Sequence, residues 1–148
     1  MKIIIQRVKK ASVEINQKLY SEIGRGLLVL IGINHTDTKK QAEWLAHKTA
    51  NLRIFEDREG KMNLSAKDIH GEILVVPNFT LYADAKKGFR PSFIEAARPE
   101  TATPLYEEYV NLLKNMSLRS IQTGVFGADM QVIIENDGPV TIVIEKND

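Results

Sequence analysis

The run GLLVLIGI, from Gly26 to Ile33, is apolar without interruption. Crossing a bilayer takes ~18–20 such residues, and no stretch of the chain approaches that length. A short continuous apolar run suits a central strand covered on both faces. Around it, Lys2 to Val8 and Ser12 to Ile15 read as strands, and Asn16-Gln17-Lys18 as a turn into a partner strand ending near Ile23. Two helices follow from spacing. Thr36 or Asp37 is placed to cap the first, whose face carries Ala42, Leu45, Thr49 and Leu52, with Trp44 and His47 off the stripe. The second spans Pro99 to Met116, with Leu105, Tyr109, Leu112 and Met116 on its apolar face.

Between the helices, EDREGKMNLSAKDIHG is polar and reads as a loop. EILVVPNFTLYA returns to strand character until Pro77, which lacks an N–H and should end the pairing or force a bulge. DAKKGFRPSF is loop again, and strand-like pieces near Leu118–Thr123 and Met130–Ile134 lead to the C-terminus. This order of strands, helix, strand, helix, strands predicts an α+β domain over residues 1–148, with two main helices and a mostly antiparallel, partly barrel-like sheet. No internal repeat or linker interrupts it.

With 148 residues, 43% of them hydrophobic and 26% charged, the chain can bury a core without staples. It has no cysteine, so thiolate catalysis and disulfides are excluded and a reducing compartment is expected. The N-terminus is too briefly apolar for a signal peptide, which makes the cytoplasm the expected location. Twenty Lys and Arg against 19 Asp and Glu leave a net charge of +1, unlike a protein that wraps a long nucleic acid. Arg7, Lys9 and Lys10, and again Lys86, Lys87 and Arg90, would permit a short contact with an RNA end. Solvated surface charge is the plainer reading of both clusters.

Several chemistries lack their residues. His35, His47 and His70 are far apart, with no HxH or HExxH spacing, so no metal is expected. Gly24 and Gly26 precede a strand and lack the Lys-Ser/Thr of a P-loop. Spacing alone leaves a Ser-His-Asp triad open, but no GxSxG elbow is present. Two segments remain. In VVPNFTL, Asn78 and Thr80 emerge where a buried strand reaches Pro77; in isolation they read as a turn residue and an ordinary strand residue. In MQVIIENDGPVTIVIE, Asp137-Gly138 between apolar runs reads as a hairpin turn, yet Pro139 is a poor start for a paired strand.

Taken together and in order, IIIQRVKKASVEI, VVPNFTLYAD, GFRPSF, GVFGADMQV and NDGPVT resemble the D-aminoacyl-tRNA deacylases. The resemblance covers essentially the whole chain. It implies a cofactor-free homodimer that binds the acceptor end of aminoacyl-tRNA, not DNA or membrane. The reaction implied is hydrolysis of the ester of D-aminoacyl-tRNA and of mischarged glycyl-tRNA. Gly138-Pro139 would form a cis Gly-Pro unit reaching into the partner subunit's site, where it excludes L side chains. Arg7 matches the arginine that supports this unit, and Phe126 and Met130 match residues lining the amino-acid pocket. Asn78, Phe79 and Thr80 match the catalytic segment, and Pro77 before them a substrate-binding position. Thr80 stands where the family has a threonine proposed as nucleophile, but with no base near it in sequence the expected route is positioning: backbone N–H groups near Phe79 and Thr80 stabilise the oxyanion and the ribose 2′-OH assists.

Pro77 and Asn78 stand where that family usually has Ser and Gln. A related branch acting on L-alanine mischarged to tRNA carries Pro at the first of these positions. Two alternatives therefore accompany the resemblance: a deacylase of relaxed chirality that also takes L-alanyl-tRNA, and a tRNA-end-binding module without turnover.

Overall fold

Strand β1 runs unbroken from Lys2 to Ile15 and organises the molecule, a computed structural model that describes residues 1–148. The two N-terminal strands expected from sequence are thus halves of one. Asn16 and Gln17 both adopt positive φ (51° and 64°). Such a two-residue turn matches the twist of the flanking strands, and it leads into β2 (Lys18–Ile23), antiparallel to the second half of β1. The apolar run becomes β3 (Gly26–Gly32), antiparallel to the first half of β1.

Helix α1 (Lys39–Asn51) then crosses over the sheet. Its N-cap is Thr38, not Thr36 or Asp37: the Thr38 N–H and hydroxyl both donate to Gln41 Oε1, at 2.9 and 2.7 Å. Asp37 is engaged elsewhere, accepting from the Asn34 N–H (2.7 Å) and pairing with the Met1 ammonium. The polar segment after α1 holds a small hairpin, β4 (Phe55–Glu56) and β5 (Met62–Leu64). β6 (Glu72–Pro77) enters parallel to β3. Helix α2 (Pro99–Lys114) makes a second crossover to β7 (Ser120–Thr123), which is parallel to β6.

The sheet order is β2-β1-β3-β6-β7, with β8 (Gln131–Glu145) on the other edge of β1. All pairings of β1 are antiparallel, and the helical crossovers add the two parallel ones. The sheet curls toward closure: the Ser21 hydroxyl of β2 donates to the Thr123 carbonyl of β7 at 2.8 Å. Two cores explain why β3 is apolar at every position. Leu27, Val29 and Ile31 face the helices with Leu45, Ala46, Tyr109 and Leu113, while Leu28 joins Val8, Val13, Leu74 and Val76 on the inner face.

Two further expectations need correction. The buried face of α2 runs through Ala102, Leu105, Tyr106, Tyr109, Val110 and Leu113, so Leu112 and Met116 pack only at its margin. The C-terminal segment is not a hairpin. β8 is one strand paired with β1 from Lys2↔Glu145 to Glu14↔Gln131, and Asn136-Asp137-Gly138-Pro139 is an irregularity within it. Its two halves cannot pair with each other because β1 already occupies both.

Candidate active site

Pro77 ends β6, and the chain turns at once. Asn78 donates its N–H to the Ile31 carbonyl (2.8 Å) and caps a 3₁₀ turn over Phe79–Tyr82. The Asn78 Oδ1 accepts from the Thr80 N–H (3.2 Å) and from the Thr80 hydroxyl. The turn can lie against β3 only because residue 32 is glycine: a Cβ there would be 2.9 Å from Leu81 Cβ and 3.2 Å from the Asn78 carbonyl. Phe79 is thereby pushed outward, 55% exposed, and meets Phe93 edge to face with centroids 5.2 Å apart.

Phe79 divides two clefts. One, of about 360 Å³, is walled by Pro77, Phe79, Phe93 and Phe126 and floored by the start of α2 at Ala97-Arg98-Pro99. The other, of about 310 Å³, lies between Pro77, Asn78, Phe79, Asp129, Met130 and Val132. Pro77, Phe79 and Gly127 belong to both. Phe126 is braced by Tyr106 (6.3 Å between centroids), and the Met130 sulfur accepts from the Val125 N–H at 3.4 Å. The structure therefore brings Pro77, Asn78, Phe79, Thr80, Phe126 and Met130 into one region. Sequence reasoning missed Phe93, Arg98 and Asp129, which contribute to the same walls. Phe93 lies within GFRPSF, and its aromatic character was the available signal.

The free amide at this turn is that of Phe79, the first residue of the 3₁₀ turn and so without an acceptor inside it. The Thr80 N–H expected beside it is already committed to Asn78. The Thr80 hydroxyl has an amide oxygen as its neighbour, which accepts a hydrogen bond but is not a base. An exposed hydroxyl, one open backbone donor and apolar walls suit the positioning of a neutral ester more than the generation of an alkoxide.

Gly138 and Pro139 lie apart from these clefts, exposed on β8. Opposite them Arg7 is buried, the one β1 residue between Gln6↔Thr141 and Val8↔Asn136. Four residues of β8 thus bulge against one of β1. Arg7 holds the bulge from beneath: its Nε donates to the Asp137 carbonyl (3.2 Å) and pairs with the Asp137 carboxylate (3.3 Å), while Nη1 donates to the Ile54 carbonyl (2.8 Å). Gly138 has φ +123°, a conformation that strains any L side chain, and a Cβ there would also stand 2.9 Å from Val140 Cγ2 and 3.1 Å from Arg7 Nη2. The Gly138–Pro139 peptide bond is cis. On the flank, the Val140 N–H donates to Asn136 Oδ1 at 3.1 Å.

The histidines do not meet. His35 stands 3.5 Å from Glu95, His47 is on the exposed face of α1, and His70 precedes β6.

Comparison with known proteins bears on the family and the fold. A protein named D-aminoacyl-tRNA deacylase from Cytophaga hutchinsonii is 58% identical over 97% of this chain and 95% of its own length. One of the same name from Flavobacterium psychrophilum is 53% identical over 99% of this chain and 97% of its own. Among solved structures, c-Myc DNA Unwinding Element Binding Protein superposes over all of both chains with a TM-score of 0.94 at 44% identity. A probable eukaryotic D-amino acid tRNA deacylase shares the fold, with a TM-score of 0.82 at 17% identity over 97% of both chains. The model of the family described as D-Tyr-tRNA(Tyr) deacylase matches residues 4–145, and the chain belongs to that family.

Proposed function

We propose that this protein hydrolyses the ester joining a D-amino acid to the terminal ribose of tRNA, and likewise removes glycine wrongly attached to tRNA. The observation that carries the reading is the Phe79-Thr80 turn, with its open amide, set between two apolar-walled clefts in a chain whose relatives are named D-aminoacyl-tRNA deacylase. Water adds to the ester carbonyl, and the Phe79 N–H stabilises the oxyanion that forms. The intermediate collapses with loss of the ribose oxygen, which leaves protonated, and the neighbouring 2′-OH of the substrate assists the proton movement. No side chain becomes covalently attached. Thr80 and Asn78 keep the turn in shape.

Chirality is read by exclusion. The protein acts as a homodimer in which Gly138-Pro139 of one subunit closes the site of the other, its carbonyls holding the α-ammonium and its wall colliding with an L side chain. Supporting this arrangement, the Gly-Pro unit is exposed and anchored by Arg7, yet shares no cleft with Phe79 in its own chain. The outer edge of β8 also carries the exposed Ile133 and Val143. No helix is long and apolar enough to cross a membrane. An aminoacyl-tRNA substrate goes with a cytoplasmic location.

Pro77 favours a second reading, a deacylase that also takes L-alanyl-tRNA, because it borders both clefts without the hydroxyl of serine. The test is release of amino acid from D-tyrosyl-, L-tyrosyl-, L-alanyl- and glycyl-tRNA with a chelator present. Release from the D-tyrosyl and glycyl substrates alone is expected. Release of L-alanine moves the protein to the second reading, and release from none of them overturns both.

A further inference from the structure

Beyond the turn that holds Phe79, the chain makes a projecting finger whose composition the proposed reaction does not use. The Asp84 N–H donates to the Ser92 carbonyl (2.8 Å) and the Ser92 N–H to the Asp84 carbonyl (2.9 Å), closing its base. Asp84 Oδ1 accepts from the Lys86 N–H at 2.9 Å, and Gly88 turns the tip with φ +65°. The tip reads Lys86-Lys87-Gly88-Phe89-Arg90, every residue of it exposed. Phe89 is wholly exposed, and none of the three cations takes part in any ion pair of the molecule.

Phe89 contributes nothing to the core, and Lys86, Lys87 and Arg90, adjacent to it in sequence, are held by no carboxylate. It is the combination that binds single-stranded nucleic acid, where bases stack on the ring and phosphates meet Lys and Arg. The finger also has a fixed place. Its base joins the 3₁₀ turn through the Ala83 N–H to the Thr80 carbonyl (3.0 Å), and Phe93 just beyond it packs on Phe79. At ~3.3 Å per residue the tip lies at most about 17 Å from Asp84, a span of a few nucleotides.

We infer that the Lys86–Arg90 finger grips the unpaired nucleotides preceding the terminal, aminoacylated one, with Phe89 stacking on a base and Lys86, Lys87 and Arg90 on phosphates. The inference rests on the reaction proposed above and names how its substrate is held. An RNA strand is the occupant favoured over a second copy of the chain, because three like charges on one short tip repel an identical finger but complement phosphates.

The test is fluorescence anisotropy with two labelled RNA hairpins, one bearing a single-stranded 3′ tail and one blunt, alongside deacylation of D-tyrosyl-tRNA. Tighter binding of the tailed hairpin is expected. Phe89→Ala should weaken that binding about ten-fold, and Phe89→Trp should restore it. Replacing Lys86, Lys87 and Arg90 together by alanine should lower the slope of log Kd against log salt by about 2. Equal binding of tailed and blunt RNA, unchanged binding by Phe89→Ala, or a change in oligomeric state in that variant overturns the inference. A protein that binds the tail through Phe89 but releases no amino acid overturns the proposed reaction and leaves the finger assigned.

Discussion

Arg7 shows how one side chain can define a local backbone shape. It is buried within a strand, where a charge survives only if every face of it is satisfied. Its guanidinium meets two carbonyls and a carboxylate at once, and two of those acceptors belong to the residue before Gly138. A lysine ammonium is a point charge and cannot span the same set. Arg7→Lys is therefore expected to lower stability by about 1–3 kcal/mol in urea unfolding. It should also lower deacylation by more than the unfolded fraction explains, because the Gly-Pro unit loses its anchor. In the turn that holds Phe79, Thr80→Ala removes a hydroxyl whose hydrogen bond goes to Asn78. Substantial single-turnover activity should remain; a fall to the uncatalysed rate would make Thr80 a nucleophile. The roles given to Arg7 and Thr80 came from motif resemblance, since a strand arginine and a threonine just past a strand end carry no local mark of what they will face.

Between elements, the two helices are joined by a buried polar contact whose asymmetry can be measured. The Thr49 hydroxyl donates to the Leu45 carbonyl (2.8 Å), so at 2.7 Å it is the Tyr109 hydroxyl that donates to Thr49. Thr49→Val leaves the fully buried Tyr109 hydroxyl without a partner and should cost about 1–3 kcal/mol. Tyr109→Phe leaves Thr49 still bonded to its own helix and should cost less. Chemical denaturation of both variants checks the order. Most elements were readable from periodicity: β3, the start of α2, and the buried Ala42-Leu45-Thr49 stripe all fall where spacing puts them. The C-terminal hairpin was misread for a physical reason. Asp-Gly permits a tight turn, but β1 offers both halves of β8 a longer ladder than they could offer each other.

For the molecule as a whole, stability should break at high pH. Burial holds Tyr106 up to about 12 and pushes Tyr82 and Tyr109 upward as well. In the unfolded chain these phenols ionise near ~10. The folded state therefore keeps protons that the unfolded state has lost, and stability falls as pH rises above ~10. A pH titration of tyrosinate absorbance should show three of the four tyrosines ionising only with loss of structure. The proposed two-subunit site can be tested by mixing. A Gly138→Ala variant and a Phe79→Pro variant, which lacks the open N–H at the first position of its turn, should each be inactive alone and regain about a quarter of wild-type activity after joint refolding. Statistical mixing makes half the dimers hybrid, each with one intact site. No recovery would place both residues in the same subunit's site.

The local code settled strand, turn and helix wherever one element decides its own surroundings. Asn16-Gln17 can make a two-residue turn with any strands beside it, and an uninterrupted apolar run must be covered on both faces whatever covers it. Pro77 ends a strand because it has no N–H to give. Tertiary structure decided what depends on distant partners: that Asp37 faces the Met1 ammonium while Thr38 caps α1, that Phe93 and Arg98 join the walls around Phe79, and that Arg7 lies beneath Gly138. Those contacts bring together residues far apart in the chain, and local spacing carries no information about which strand will become whose neighbour.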